Sequence, residues 1–107
     1  MAALSAAGAA LARAVRAELA GGGVEVAVEA VASRPWASST FAGERHVLRL
    51  RVGGTGAAAA VDRFLDGLGE REFELRGHIL ADIAAVSRRS GGDGERLELE
   101  ALTVEAG

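Results

Sequence analysis

Leu4, Leu11, Val15 and Leu19 recur at spacings of seven, four and four, with Arg13, Arg16 and Glu18 off that line. This is the apolar stripe of an amphipathic helix. Gly21, Gly22 and Gly23 follow it, as glycine commonly does where a helix ends. The period then changes to two. Val24, Val26 and Val28 share one face and Glu25 and Glu29 the other, which predicts a half-buried strand over 24–31. Residues 33–43 break the alternation with Pro35, serines and Gly43, so a connecting loop carrying Trp36 is expected there. A second strand is predicted over 44–52. His46, Leu48, Leu50 and Val52 face one way, and Arg45, Arg49 and Arg51 the other, with Val47 among them.

Gly53, Gly54 and Gly56 interrupt this pattern. Ala57, Val61, Phe64 and Leu68, joined by Leu65, restore helical spacing, and Gly67 and Gly69 close the second helix. Phe73 and Leu75 then alternate with Glu72, Glu74 and Arg76, and Gly77 marks a bulge before the strand continues over 78–86. Residues 88–94 read as a hairpin turn with Gly-Asp-Gly at its tip. The last strand is predicted over 96–104, with Leu97, Leu99 and Ala101 on one face and Glu98, Glu100 and Leu102 on the other. The order α-β-β-α-β-β predicts an α+β fold. Two helices pack on one face of a four-stranded, mainly antiparallel sheet. The whole chain, 1–107, is expected to form a single domain.

Composition narrows the function classes. Half of the 107 residues are hydrophobic, but 24 of those are Ala. The core is therefore expected to be thin, with Phe41, Phe64 and Phe73 as its largest pieces. The absence of Cys excludes a disulfide framework, a thiol nucleophile and a cysteine zinc site. A net charge of −3 argues against a general nucleic-acid binder, whose affinity rests on neutralising phosphates. No apolar run reaches membrane-spanning length. Arg13 and Arg16 follow the apolar N-terminal stretch, whereas a signal peptide carries its positive charges first. A helix and a cytoplasmic protein are expected.

Candidate chemistry is sparse. His46 and His78 both fall on predicted strands and could meet, but a two-histidine metal site needs a third ligand, and no spacing selects one. Gly53-Gly54-Thr55-Gly56 lacks the following Lys of a phosphate-binding loop and the spacing of a dinucleotide fingerprint, so a plain loop is expected. Ser38, Ser39 and Thr40 with His46 have no positioned third group and no nucleophile elbow. Asp62 and Asp66 neighbour each other on the second helix as a solvated face. No catalytic residue, cofactor or metal is expected. A small enzyme using His46 or His78 ranks behind every structural reading.

The strand faces carry more. Arg45, Arg49 and Arg51 line one side of the second strand, Glu98 and Glu100 one side of the last, and Glu72 and Glu74 one side of the third. They can pair across strands on a solvated face, or meet a second subunit with opposite charges setting the register. Trp36, the single Trp, either folds back on the core or anchors an interface. Trp36, Phe41, Arg45, Arg49, Arg51, Glu98 and Glu100 are accordingly the candidate interface residues.

Arg34, Trp36, Ser38, Thr40, Phe41, Gly43, Glu44, His46 and Leu48 compose the string R-x-W-x-S-x-T-F-x-G-E-x-H-x-L. An Ala-rich helix, Leu75-x-Gly77-His78-x-Leu80, a hairpin with Asp93, and Ala101-Leu102-Thr103 follow in order. Over about residues 24–105 the chain resembles the small tail completion, or tail terminator, proteins of tailed phages and gene transfer agents. The resemblance implies a non-enzymatic subunit that forms a ring, typically a hexamer, on the end of the tail tube. Its partners would be copies of itself, the tail tube protein and the head–tail connector. DNA would only pass through the lumen, no membrane would be involved, and the protein would be cytoplasmic or part of a phage-like or prophage-derived particle. The other reading carried by the residues is a small α+β module that dimerises through its sheet and binds a ligand or partner protein.

Overall fold

The computed structural model describes residues 4–21 and 23–106. The chain runs through α1 (Ala6–Leu19), β1 (Glu25–Ala37), β2 (Ala42–Gly53), α2 (Ala57–Leu65), a 3-10 turn (Leu68–Glu70), β3 (His78–Gly91) and β4 (Gly94–Glu105). The sheet order is β1-β2-β4-β3 and all three pairings are antiparallel. The α-β-β-α-β-β order and the four-stranded antiparallel sheet are those expected from the periodicity. α2 and the segment after it carry the chain past the β4 position to the far edge. The β3–β4 hairpin then returns β4 into the slot beside β2.

Both helices cover one face of the sheet. Leu11, Val15 and Leu19 of α1 and Val61 and Phe64 of α2 close over Leu48, Leu50 and Val52 of β2 and Leu97 and Leu99 of β4. Ser5 caps α1, its Oγ accepting the Gly8 N–H at 3.0 Å. Leu4 therefore lies outside the helix and is exposed, and Ala7 takes its place in the buried stripe. Phe64 is the one fully buried aromatic. Phe73 is half-buried against the core, while Phe41, expected inside, is exposed at the tip of the first hairpin.

Four stretches differ from the pattern-based reading. The first is 33–37, which continues β1 rather than forming a loop. Pro35 is compatible with a strand here because β1 is a sheet edge, where a missing N–H costs no ladder bond. The connection shrinks to residues 38–41, closed by the Ser38 N–H donating to the Phe41 carbonyl at 2.7 Å. The second is 72–76, which has strand-like alternation but no strand. It is irregular, and a turn from Leu75 to His78 starts β3. The third is 88–91, which is strand rather than turn. Gly91 pairs with Gly94, leaving Gly92 and Asp93 as a two-residue turn. The fourth is the end of α2, which stops at Leu65. Gly67, with φ of 69°, breaks it, and buried Leu68 sits in the 3-10 turn.

A β-bulge at Glu29 sets the face of β1. Val28 opposes Leu50 and Ala30 opposes Arg49, so Glu29 is an extra residue. Simple alternation would turn Val31 away from the helices. The bulge returns it to the helix side, opposite Leu48, with Ser33 next, opposite His46.

Candidate functional site

The helix-side end of the sheet contains a buried polar chain centred on His46. The imidazole is 1% exposed. Its Nδ1 lies 2.7 Å from Ser33 Oγ on β1, and its Nε2 lies 2.8 Å from Thr103 Oγ1 on β4. The Thr103 hydroxyl points to the Glu44 carbonyl at 3.5 Å. In the neutral ring that burial favours, Nε2–H donates to Thr103, whose own hydroxyl is directed at the Glu44 carbonyl, and Nδ1 accepts from Ser33. Burial pushes the His46 pKa below its ordinary 6.5; Glu44 opposes that shift and His78 adds to it. α1 closes the cluster. Ser5 Oγ donates to Glu44 Oε1 at 2.8 Å, and a Cβ on Gly8 would come within 2.8 Å of Ser33 Oγ. With both nitrogens engaged and water excluded, His46 ties three strands together.

Sequence reasoning placed His46 on the buried face but missed its partner. The serine that meets it is Ser33, not Ser38, Ser39 or Thr40. Ser38 spends its hydroxyl inside the hairpin, accepting the Phe41 N–H at 3.0 Å. His78 stands on the surface with Nδ1 3.1 Å from the Arg76 carbonyl. Among the described residues no group of three or more His, Cys, Asp or Glu is arranged to hold a metal ion. Residues 53–56 form a tight turn into α2, the Ala57 N–H donating to the Gly54 carbonyl at 3.2 Å.

A second polar cluster was not anticipated from the sequence. Glu95 is 3% exposed. It takes the Arg88 guanidinium at 2.7 Å, which also reaches Asp62 of α2 at 2.7 Å. Hydrogen bonds from Ser90 and Arg88 hold the Glu95 carboxyl below its ordinary 4.5 against the cost of burial. Arg88 and Ser90 fall in the stretch read as turn, so their register opposite Leu97 and Glu95 was hidden. Asp62 is thus a tether between α2 and the sheet, rather than only a solvated residue.

The other sheet face carries no helix and presents rows of residues set by register. Arg49 stands beside Glu98, joined at 3.0 Å, and Arg51 and Arg96 share Glu29 at 3.7 and 3.0 Å. Of the candidate interface residues, Arg49, Arg51 and Glu98 are thus paired within the chain. One row is not. Arg34 of β1 sits directly opposite Arg45 of β2, Arg45 opposite Leu102 of β4, and Leu102 opposite Asp82 of β3. In the next row Val47 stands beside Glu100. Arg34, Arg45, Asp82 and Glu100 make no ion pair among the described residues. They line a shallow groove of about 300 Å³. Like charges directly opposite on a sheet are destabilising, so the Arg34–Arg45 pairing is a cost, and neither guanidinium forms an ion pair among the described residues.

Trp36 stands opposite Gly43 at the end of this sheet, half-buried. Its indole Nε1 is shielded from water and has no hydrogen-bond partner. The nearby open cavity of about 520 Å³ is bordered by Ser5, Glu44, His78 and Glu105. Glu72 and Glu74 fall in the irregular segment and line no strand face.

Comparisons with family models, with curated proteins and with solved structures find no match. No helix among the described residues is long and apolar enough to cross a membrane.

Proposed function

We propose that this chain is a structural assembly subunit, a small tail completion protein that closes into a ring at the end of a phage-like tail tube. The observation that carries this reading is the pair of long, free sheet edges. β1 and β3 are 13 and 14 residues long and each is hydrogen-bonded on one side only. They lie on opposite flanks of the same sheet. The edge of one copy can thus meet the other edge of the next, the head-to-tail contact from which rings are built.

The edges are also blunted. β1 carries the Glu29 bulge and Pro35, and β3 carries extra residues at Ala81 and Val86. Bulges, charges and proline on an edge oppose uncontrolled pairing. This suits a subunit that assembles on a template rather than by itself. The closed surroundings of His46 favour this reading over an enzyme, because a catalytic base must reach a substrate proton.

The test is light scattering on a sizing column across a wide concentration range, followed by mixing with purified tail tubes and negative-stain imaging. A closed ring in solution, or a cap on tube ends, supports the proposal. Tubes that stay bare at saturating protein, together with no ring in solution, overturn it.

A further inference from the structure

The charges on the helix-free sheet face are divided across the sheet rather than along it. Away from the β3–β4 hairpin end the β1–β2 half carries Arg34, Arg45 and Arg49, and the β4–β3 half carries Asp82, Glu98 and Glu100. The hairpin end is mixed, with Glu25, Glu29 and Arg51 on one half and Arg89 and Arg96 on the other. We propose that this face binds a second copy of the chain, face to face, about a two-fold axis running parallel to the strands between β2 and β4.

The register fixes what such an axis brings together. It places β1 over the partner's β3 and β2 over the partner's β4, and it preserves the rows. Arg34 then stands over Asp82, Arg49 over Glu98, and Arg45 beside Glu100, each twice by symmetry. The one like pair, Arg51 over Arg96, falls where Glu29 already binds both guanidinium groups within a chain. The four groups left without an ion pair in one copy thus gain partners of opposite sign. The repulsion between Arg34 and Arg45 is offset by the same contact. A two-fold axis perpendicular to the strands does the reverse. It sets β2 on β2 and crowds Arg45, Arg49 and Arg51 against their own copies, so the charges select one axis over the other.

Size and shape agree with this occupant. Four strands of ~12 residues, spaced ~4.8 Å apart with a rise of ~3.3 Å, present ~760 Å², close to the ~800 Å² per partner of a standard interface. Ala27, Ala30 and Ala32 keep the β1 side of the face low. Aligned sheets pack ~10 Å apart, which leaves room for the longer arginines and glutamates between them. This inference does not rest on the ring reading, which uses the strand edges.

The experiment uses two variants of the full chain and sedimentation equilibrium. Arg34→Asp should weaken the dimer ~10-fold or more, because it sets like charges against Asp82 at two symmetric places. The double variant Arg34→Asp with Asp82→Arg should restore it. Within one chain these residues are three strands apart, ~14 Å, so rescue can only act between copies. The chain has no Cys, which permits a second readout. Ala32→Cys combined with Ala84→Cys, residues of one row on β1 and β3, should give a covalent dimer and no internal link with a bifunctional thiol reagent that spans the ~10 Å between sheets but not the ~14 Å between β1 and β3.

Rescue together with cross-linking supports the proposal. A monomer up to ~1 mM, far weaker than interfaces of this size, overturns it. So does any oligomer insensitive to Arg34→Asp, or one that cross-links through Val47→Cys alone, which reports the perpendicular axis. Capping of tail tubes is scored separately, so failure here and failure of the ring reading are distinguishable.

Discussion

His46 Nε2 and Thr103 Oγ1 meet at 2.8 Å across the centre of the sheet, with Ser33 on the opposite side of the same ring. Protonating the ring would keep the Nε2–H donation to Thr103 but bury a positive charge among hydroxyls, and that desolvation outweighs the attraction of Glu44. The folded state lowers the pKa of His46, so below 6.5 the unfolded chain binds the proton first. Stability is thus fully present above pH 6.5 and falls as the pH drops towards the lowered folded value, with a slope of at most ~1.4 kcal/mol per pH unit. Urea titrations at intervals from pH 7.5 to 5 should show this decline. His46→Gln should remove it and lower stability at pH 7.5 by about 1–3 kcal/mol.

Glu95 governs a second, more acidic window. Its carboxyl is held below 4.5 in the fold, so its contribution is complete above 4.5 and is lost as pH falls through the lowered value. Glu95→Gln leaves Arg88 with only the exposed Asp62 carboxylate and should cost about 1–3 kcal/mol at neutral pH. The loss should appear in thermal unfolding and shrink below pH 4. Equal destabilisation at pH 7 and pH 3 would show that the carboxylate charge is not what matters.

Gly43 permits the close approach of β2 to β4 beneath Trp36. A Cβ there would collide with the Thr103 carbonyl oxygen and lie 3.0 Å from the indole Nε1. Gly43→Ala should cost more than about 2 kcal/mol, whereas Gly69→Ala, with open space around it, should be nearly neutral. Denaturant midpoints of the two variants make the comparison.

Arg49 and Glu98 form an ion pair in which the Arg side chain is 66% exposed. Arg49→Ala should change monomer stability by no more than about 1 kcal/mol. Any larger effect on the midpoint that grows with protein concentration would place Arg49 at a subunit contact.

Trp36 gives a direct optical readout, because it is the single Trp and the chain has no Tyr. Its half-buried indole should emit at an intermediate wavelength. Assembly that covers this end of the sheet should shift the emission to the blue, and a spectrum constant across the oligomer transition would show that Trp36 lies outside the contact.

Periodicity made most of the architecture legible. The helical stripe of Leu11, Val15 and Leu19 and the alternation of 44–52 and 96–104 each report burial on one side, a property of the element itself. The burial of His46 was readable for the same reason, since it shares a face with Leu48 and Leu50. Pattern misled where neighbouring elements decide. Residues 33–37 look like loop because Pro35 and Ser33 are poor strand formers in isolation, yet pairing with β2 makes them strand. Residues 72–76 alternate but have no partner strand.

The sequence by itself therefore determined which residues face a core, the α-β-β-α-β-β order and the lack of thiol chemistry, since these follow from local spacing and composition. Only the tertiary structure decided that Ser33 and Thr103 bracket His46, that Glu29 is a bulge returning Val31 to the core, that Glu95 is buried with Arg88, and that Arg34 and Arg45 stand opposite each other while Asp82 lies at the far edge. These are matters of register between strands distant in sequence. A shift of one residue moves every side chain to the other face, and no local pattern encodes which registers the assembled sheet adopts.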